Sequence, residues 1–340
     1  MLKNNTPSPE RPDSEPACFL GRHGAVARQK NYNNLRLKSC SKCIFVFMFK
    51  KTLWTIGTLG IVASLFISSC KEEPPVGLFI SKVEPLLDTF YMASTPAAAQ
   101  DKHVLIFDIT GVRCSNCPKA AEVAKSILAA NNGKVSAIAL YGDIPGLDQL
   151  VKPWEGYPVL NTSDALQLIT SLGSPNSLPT GCVDQIEDAG NRMIPITRWS
   201  NLATTRLGLS TAINIDIEAN YDPTTEAITV KTKSTFTSDG TSQYLVYVGL
   251  TENEIESKQS ENRVTSGHVD DYIHEHVLRT LMTTASGSEI LGTTLAQTVV
   301  EKHFRTTKAA NWKVANMHAL AWVVNKATKE VLNVREISIK

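Results

Sequence analysis

The stretch His103–Gly142, HVLIFDITGVRCSNCPKAAEVAKSILAANNGKVSAIALYG, constrains the fold of this 340-residue chain more than any other part of it. Val104–Ile109 is a nearly unbroken apolar run of the kind that forms a strand buried on both faces. Ala120–Ala130 places Val123, Ile127 and Leu128 at helical spacing and runs into Asn131-Asn132-Gly133, a helix stop. Val135–Leu140 reads as a second buried strand. Strand, helix and strand in so short a span predict a βαβ unit, with Cys114-Ser-Asn-Cys117 at the mouth of its helix. A CxxC has chemical leverage there, because the partial positive charge and free N–H groups of a helix N-terminus stabilise a thiolate. Arg113 adds a full positive charge alongside. The pattern fits Cys114 as the attacking thiolate and Cys117, one turn on, as the thiol that resolves a mixed disulfide.

Asp108 stands six residues ahead of Cys114, and Leu178-Pro179-Thr180 follows a predicted helix over Ala165–Leu172. Together with the CxxC these residues resemble thioredoxin-fold proteins. That likeness implies that Asp108 is a buried acid serving the resolving thiol and that Pro179 is a cis-proline facing the cysteines. The set Asp108 to Pro118 plus Pro179-Thr-Gly181 resembles the twenty-eight-kilodalton outer-membrane-protein-related lipoproteins, and so does Tyr272-Ile-His274-Glu-His276-Val-Leu-Arg279. The resemblance covers about residues 48–340. It implies an α/β thioredoxin-like domain followed by a β-rich one, which short strands separated by turn signals mark as an all-β, immunoglobulin-like sandwich domain. Two departures matter. Arg113 stands where thioredoxins carry Trp, and Ser115-Asn116 stands where they carry Gly-Pro, so a reduction potential does not carry over. An insertion over Gly142–Asn161, with Trp154 and Tyr157, could cap the active-site face.

Met48 opens a second kind of signal. Lys50-Lys51, an apolar run over Leu53–Ile67 and Ile67-Ser68-Ser69 before Cys70 form a short secretory leader, too short to span a membrane. The small residues ahead of the cysteine resemble a lipobox, which implies acylation of Cys70 and contact with outer-membrane lipid. Lys71-Glu72-Glu73 resembles an export signal to the cell surface. Residues 1–47 fit no such scheme and read as a disordered, mis-assigned extension, 48–69 as the signal peptide, and 70–100 as the lipidated Cys70 and a Pro/Ala-rich linker. The thioredoxin-like domain then occupies 101–198 and the β-sandwich 199–340. Charge follows the same division: residues 1–47 hold eight Lys/Arg against three Asp/Glu, whereas from Cys70 onward 24 basic residues face 30 acidic ones. A mildly acidic body gives no footing for nucleic acid.

Downstream, Ile213, Ile215 and Ile217 alternate with polar residues, and further strand candidates recur at Ile228–Lys233, Tyr244–Leu250, Tyr272–Leu278, Val299–Phe304, His318–Val324 and Val331–Ile339. Trp312 and Trp322 read as core. On one strand His274 and His276 would point the same way, and Asp270 or Asp271 could supply an oxygen ligand for zinc or copper, but the pair reads first as satisfied polar side chains holding a loop. Cys182 reads as a small buried hydrophobe rather than a third redox partner. No cofactor is implied. Two functions fit the whole: thiol–disulfide exchange on envelope protein clients, with Cys114, Cys117, Asp108 and Pro179 as the machinery, or non-enzymatic binding of a surface ligand, with a merely structural disulfide.

Overall fold

A computed structural model describes residues 87–290 and 295–340. The leader, Cys70 and most of the linker lie outside the described residues. The chain runs through β1 (Thr89–Met92), β2 (Val104–Thr110), α1 (Cys117–Ala130), β3 (Val135–Tyr141), α2 (Asp148–Val151), α3 (Ser163–Leu172), β4 (Thr180–Val183) and α4 (Trp199–Leu207). A run of strands follows: β5 (Ile213–Asp222), β6 (Ala227–Phe236), β7 (Tyr244–Glu252), β8 (Ile255–Ser260), β9 (His268–His274), β10 (Val277–Leu281), β11 (Ser288–Glu289), β12 (Thr298–Thr307), β13 (Met317–Asn325) and β14 (Val331–Ser338). The protein is thus rich in β-structure. Among the described residues no helix is long and apolar enough to cross a membrane.

The βαβ unit forms where the apolar runs place it. β2 and β3 pair in parallel, from Val104 with Val135 to Thr110 with Tyr141, and every residue of both strands is buried. β4 lies antiparallel on the other side of β2, with Thr180 opposite Ile109 and Gly181 opposite Asp108. On one face of β2, Val104 and Ile106 pack against Ala120, Ala124 and Ile127 of α1 and Trp199 and Ala203 of α4. On the other, Leu105, Phe107 and Ile109 pack with Ala165, Leu168 and Ile169 of α3. α3 starts where Thr162 accepts a hydrogen bond from the Ala165 N–H at 3.1 Å, and it ends at Gly173 with φ 126°. α4 begins beyond residue 198 but packs beneath β2 and β4, so the α/β part runs further along the chain than its sequence signals.

A four-stranded antiparallel sheet, ordered β1-β12-β6-β5, faces β7 and β13 across a core that includes Ile213, Ile215, Ile228, Val230, Val246, Val248, Ala319 and Val323. These are the two faces of a sandwich, built on the predicted alternation. The second sheet does not stop there. It runs β14-β13-β7-β10-β3-β2-β4, with β11 on β7, because Val277 of β10 pairs in parallel with Ala139 of β3. One mixed sheet therefore joins the β-rich part to the βαβ unit. It also curls: Trp322 of β13 stacks on Tyr247 (centroids 5.3 Å apart) and meets Phe107 of β2 edge-on at 5.9 Å. At the far end the Val331 N–H donates to the Asp184 carbonyl, 2.8 Å away. Trp322 is core, as its sequence context suggested.

Two local readings need correction. Thr89–Met92, inside the segment read as a linker, is an edge strand paired with β12. The single strand expected over Tyr272–Leu278 is two strands, β9 and β10. The chain breaks between them at His276, whose φ of +56° is incompatible with a continuous strand.

Candidate functional site

Cys114 and Cys117 form a disulfide, with Cα atoms 5.3 Å apart. Cys117 is the first residue of α1, and Cys114 lies in the turn before it, where the Cys117 N–H donates to the Cys114 carbonyl at 3.1 Å. Pro118 sits in the first helical turn, where a missing N–H costs nothing. The Leu178–Pro179 bond is cis. Because Thr180 pairs with Ile109, that bond lies at the end of β2 from which the chain turns into the CxxC. Gly181, next along, allows the close approach: a Cβ there would fall 2.1 Å from the Phe107 carbonyl oxygen and 2.6 Å from Trp199.

Asp108 sits on β2, on the face toward α1. It is buried, and its Oδ1 has no hydrogen-bond partner. Burial pushes its carboxyl up to about 7, so that it exchanges a proton near neutrality. Asp108 and Cys117 line one cavity of about 520 Å³, closed on its other side by Tyr141, Gln259, His274 and His276. Tyr141 Oη and His274 Nδ1 are hydrogen-bonded at 2.8 Å. Burial holds the His274 imidazole down to about 4 and lowers that of His276, so both rings are neutral at pH 7. Although the strand breaks at His276, both histidines reach the same cavity, and His276 Nδ1 has no partner. Among the described residues no three His, Cys, Asp or Glu side chains are grouped to hold a metal ion.

The disulfide is covered. Cys114 and Cys117 are each only 2% exposed. The cover is the end of β8 and the turn after it. Gln259 Nε2 donates to the carbonyls of Cys114 (3.0 Å) and Gly111 (3.3 Å). The Ser260 N–H donates to the Val112 carbonyl (2.9 Å), and the Asn262 N–H to that of Ser115 (3.2 Å). Arg263 then grips Glu122 of α1 with two hydrogen bonds of 2.8 and 2.7 Å. Sequence reasoning missed Gln259, Asn262 and Arg263, because β8 turns the polar Ser257 and Gln259 inward with no apolar stripe to announce it.

Arg113 does not direct its charge at the sulfurs. Its guanidinium lies 3.7 Å from the centre of the Trp154 ring, and its Nε donates to the Lys152 carbonyl at 2.8 Å. The insertion captures it, and Trp154 Nε1 in turn donates to the Val112 carbonyl at 3.2 Å. Cys182 is a free thiol, fully buried opposite Phe107. It belongs to the core cluster of Phe107 and Ile109, on the sheet face away from Asp108 and α1, and burial pushes its thiol up to about 12.

These features define a β-rich protein with a covered disulfide at the start of a helix in a mixed sheet. The family model for the outer membrane protein Omp28 matches residues 167–340, and the chain belongs to that family, which associates it with the outer membrane. No curated protein matches the sequence. Among solved structures, HBP35 of Porphyromonas gingivalis is similar with a TM-score of 0.55 and 16% identity, over 72% of this chain and 77% of that one. The two share a fold. A domain of the outer membrane lipoprotein Omp28 from Porphyromonas gingivalis is 21% identical over 38% of this chain and 89% of its own, with a TM-score of 0.27.

Proposed function

We propose that this protein is held in the outer membrane by acylated Cys70 and that its α/β part is a thioredoxin-like unit exchanging thiols and disulfides with envelope protein clients. One observation carries the exchange reading. Asp108 is buried on the wall of the cavity that Cys117 also lines, with an oxygen left unpaired. A disulfide that only braces a turn needs no such group, and an unpaired buried carboxyl is destabilising. In exchange it has work: a client thiolate attacks Cys114, the Cys114–Cys117 bond breaks, and the departing Cys117 sulfur takes the Asp108 proton. A second client thiolate then attacks the client sulfur bound to Cys114. The client leaves with its own disulfide, and the protein keeps two reduced cysteines. In this reading the cis Pro179 shapes the groove in which the client lies. The leader ahead of Cys70 supports the anchor, and Lys71-Glu72-Glu73 behind it supports display at the cell surface.

A second reading, a surface-binding lipoprotein with a structural disulfide, draws support from the burial of both sulfurs. Insulin reduction in dithiothreitol separates the two. Exchange predicts acceleration by the wild type, loss in Cys114→Ser, and, when reduced Cys117→Ser is freed of dithiothreitol and mixed with insulin, a stable mixed disulfide with an insulin chain. Wild type no faster than Cys114→Ser would leave the binding reading.

A further inference from the structure

We propose that Gln259–Arg263 is a built-in cover, occupying the place where an extended client segment meets the disulfide, and that Arg263 latches it to α1. The client half of this proposal rests on the exchange reading; the cover itself rests on geometry. Ser260 and Asn262, two residues apart, donate their backbone N–H groups to the carbonyls of Val112 and Ser115 on either side of Cys114. Alternate N–H groups donating to one side is how a strand presents itself to a neighbouring edge. The cover therefore occupies backbone acceptors that an incoming extended polypeptide would use, as in strand addition. With both sulfurs 2% exposed, nothing polypeptide-sized reaches Cys114 while the cover is seated.

The latch differs from the rest of the cover. The Gln259 bonds to Gly111 and Cys114 are buried, whereas the Arg263 and Glu122 side chains are 48% and 58% exposed. Glu261, only 6% exposed, holds the guanidinium in position through a second pair at 2.6 Å. Asn262 adds a side-chain bond of 2.6 Å to Asn116, inside the CxxC itself. The hydrogen bonds that this turn makes to the βαβ unit thus fall on Ser115, Asn116 and Glu122, in the CxxC or on the helix it opens. An exposed two-bond ion pair is the easiest of these to break, and salt weakens it.

The test is the rate at which dithiothreitol reduces the disulfide in the full chain, read as two alkylated cysteines by mass. Dithiothreitol becomes its cyclic disulfide, and Cys114 and Cys117 gain two electrons and two protons. If the cover opens before reduction, Arg263→Ala should raise the rate about fivefold, what the loss of a favourable exposed pair does to such an opening. Raised salt should speed the wild type and leave Arg263→Ala nearly unchanged. Arg198→Ala is the control: it breaks a comparable pair with Asp188, whose bonds are 2.7 and 3.1 Å, away from the disulfide. Equal rates for wild type and Arg263→Ala, or an equal gain in Arg198→Ala, would overturn the cover. Because dithiothreitol is not a protein client, this result stands apart from insulin turnover, whose failure alone would remove only the client.

Discussion

Replacing Asp108 by Asn tests the electrostatics on which the exchange reading depends. The carboxyl titrates at about 7 in the fold against an ordinary 3.8, with burial as the cause. Ionising it inside the protein therefore costs on the order of 4 kcal/mol more than in the unfolded chain. The folded-state value is raised, so the group's contribution is fully present below about pH 4 and is lost as pH rises to about 7. Roughly 3 kcal/mol of that loss falls between pH 5 and pH 8. His103 and His274, both held down to about 4 by burial, act in the opposite sense: their stabilisation is present above about 6.5 and is lost as pH falls through 4. Comparing wild type with Asp108→Asn at each pH cancels those terms, along with the fixed cost of burying an amide. Urea unfolding at pH 5 and pH 8.5, with the disulfide intact, should show the variant gaining about 3 kcal/mol on the wild type at the higher pH. Parallel pH profiles for the two proteins would mean that Asp108 ionises normally, and the acid's part in exchange would fall with it.

Two further outcomes test the surroundings. Asp184 is fully buried, takes Lys102 and Arg206 at 2.7 and 2.9 Å, and accepts the Leu105 N–H at 2.9 Å; Asp184→Ala should therefore cost roughly 3–5 kcal/mol in urea unfolding by stranding a buried lysine. A loss under 1 kcal/mol would show that Lys102 finds another partner. Cys182, with its thiol pushed up to about 12, should resist iodoacetamide at pH 8 in the native protein and react fully in urea; rapid native labelling, read by mass, would contradict its burial.

The βαβ unit was legible because its signals are local and agree. The apolar runs of β2 and β3 fall within a residue of their sequence limits, and Asn131-Asn132-Gly133 ends α1 with Asn132 and Gly133 at φ of 47° and 77°. β5 and β6 announced themselves by alternation, whereas β7 and β13, buried almost throughout, carry near-continuous apolar runs. α4 did not, because Trp199, Ala203 and Arg206 are its only buried residues and make no apolar stripe. β8 failed for a related reason: its inward Ser257 and Gln259 are polar. Gln259 is buried with its amide donating to the backbone carbonyls of Gly111 and Cys114, far away in the chain, and no window along the sequence contains both partners. Arg113 was misread on the same ground. Its position beside Cys114 is local, but the direction of its side chain is set by Trp154 in the insertion.

The surroundings of the disulfide are thus made largely by residues from the β-rich part. Gln259 reaches the Cys114 carbonyl across 145 residues, and β10 completes the edge of β3 at Ala139, beside Tyr141, which with Asp108 lines the cavity. Neither contact follows from a CxxC before a helix. A βαβ unit ending after α4 would keep both cysteines, Asp108 and the cis Pro179. It would lose the cover over Cys114 and the wall formed by His274 and His276, and water would enter around Asp108. Since burial is what holds that carboxyl near 7, such a fragment should return it toward 4. The strands after residue 212 therefore set the electrostatics of the cavity lined by Asp108 and Cys117, as well as its shape. It is in these strands, rather than in the CxxC motif, that differences in reactivity between this chain and other proteins of its fold should originate.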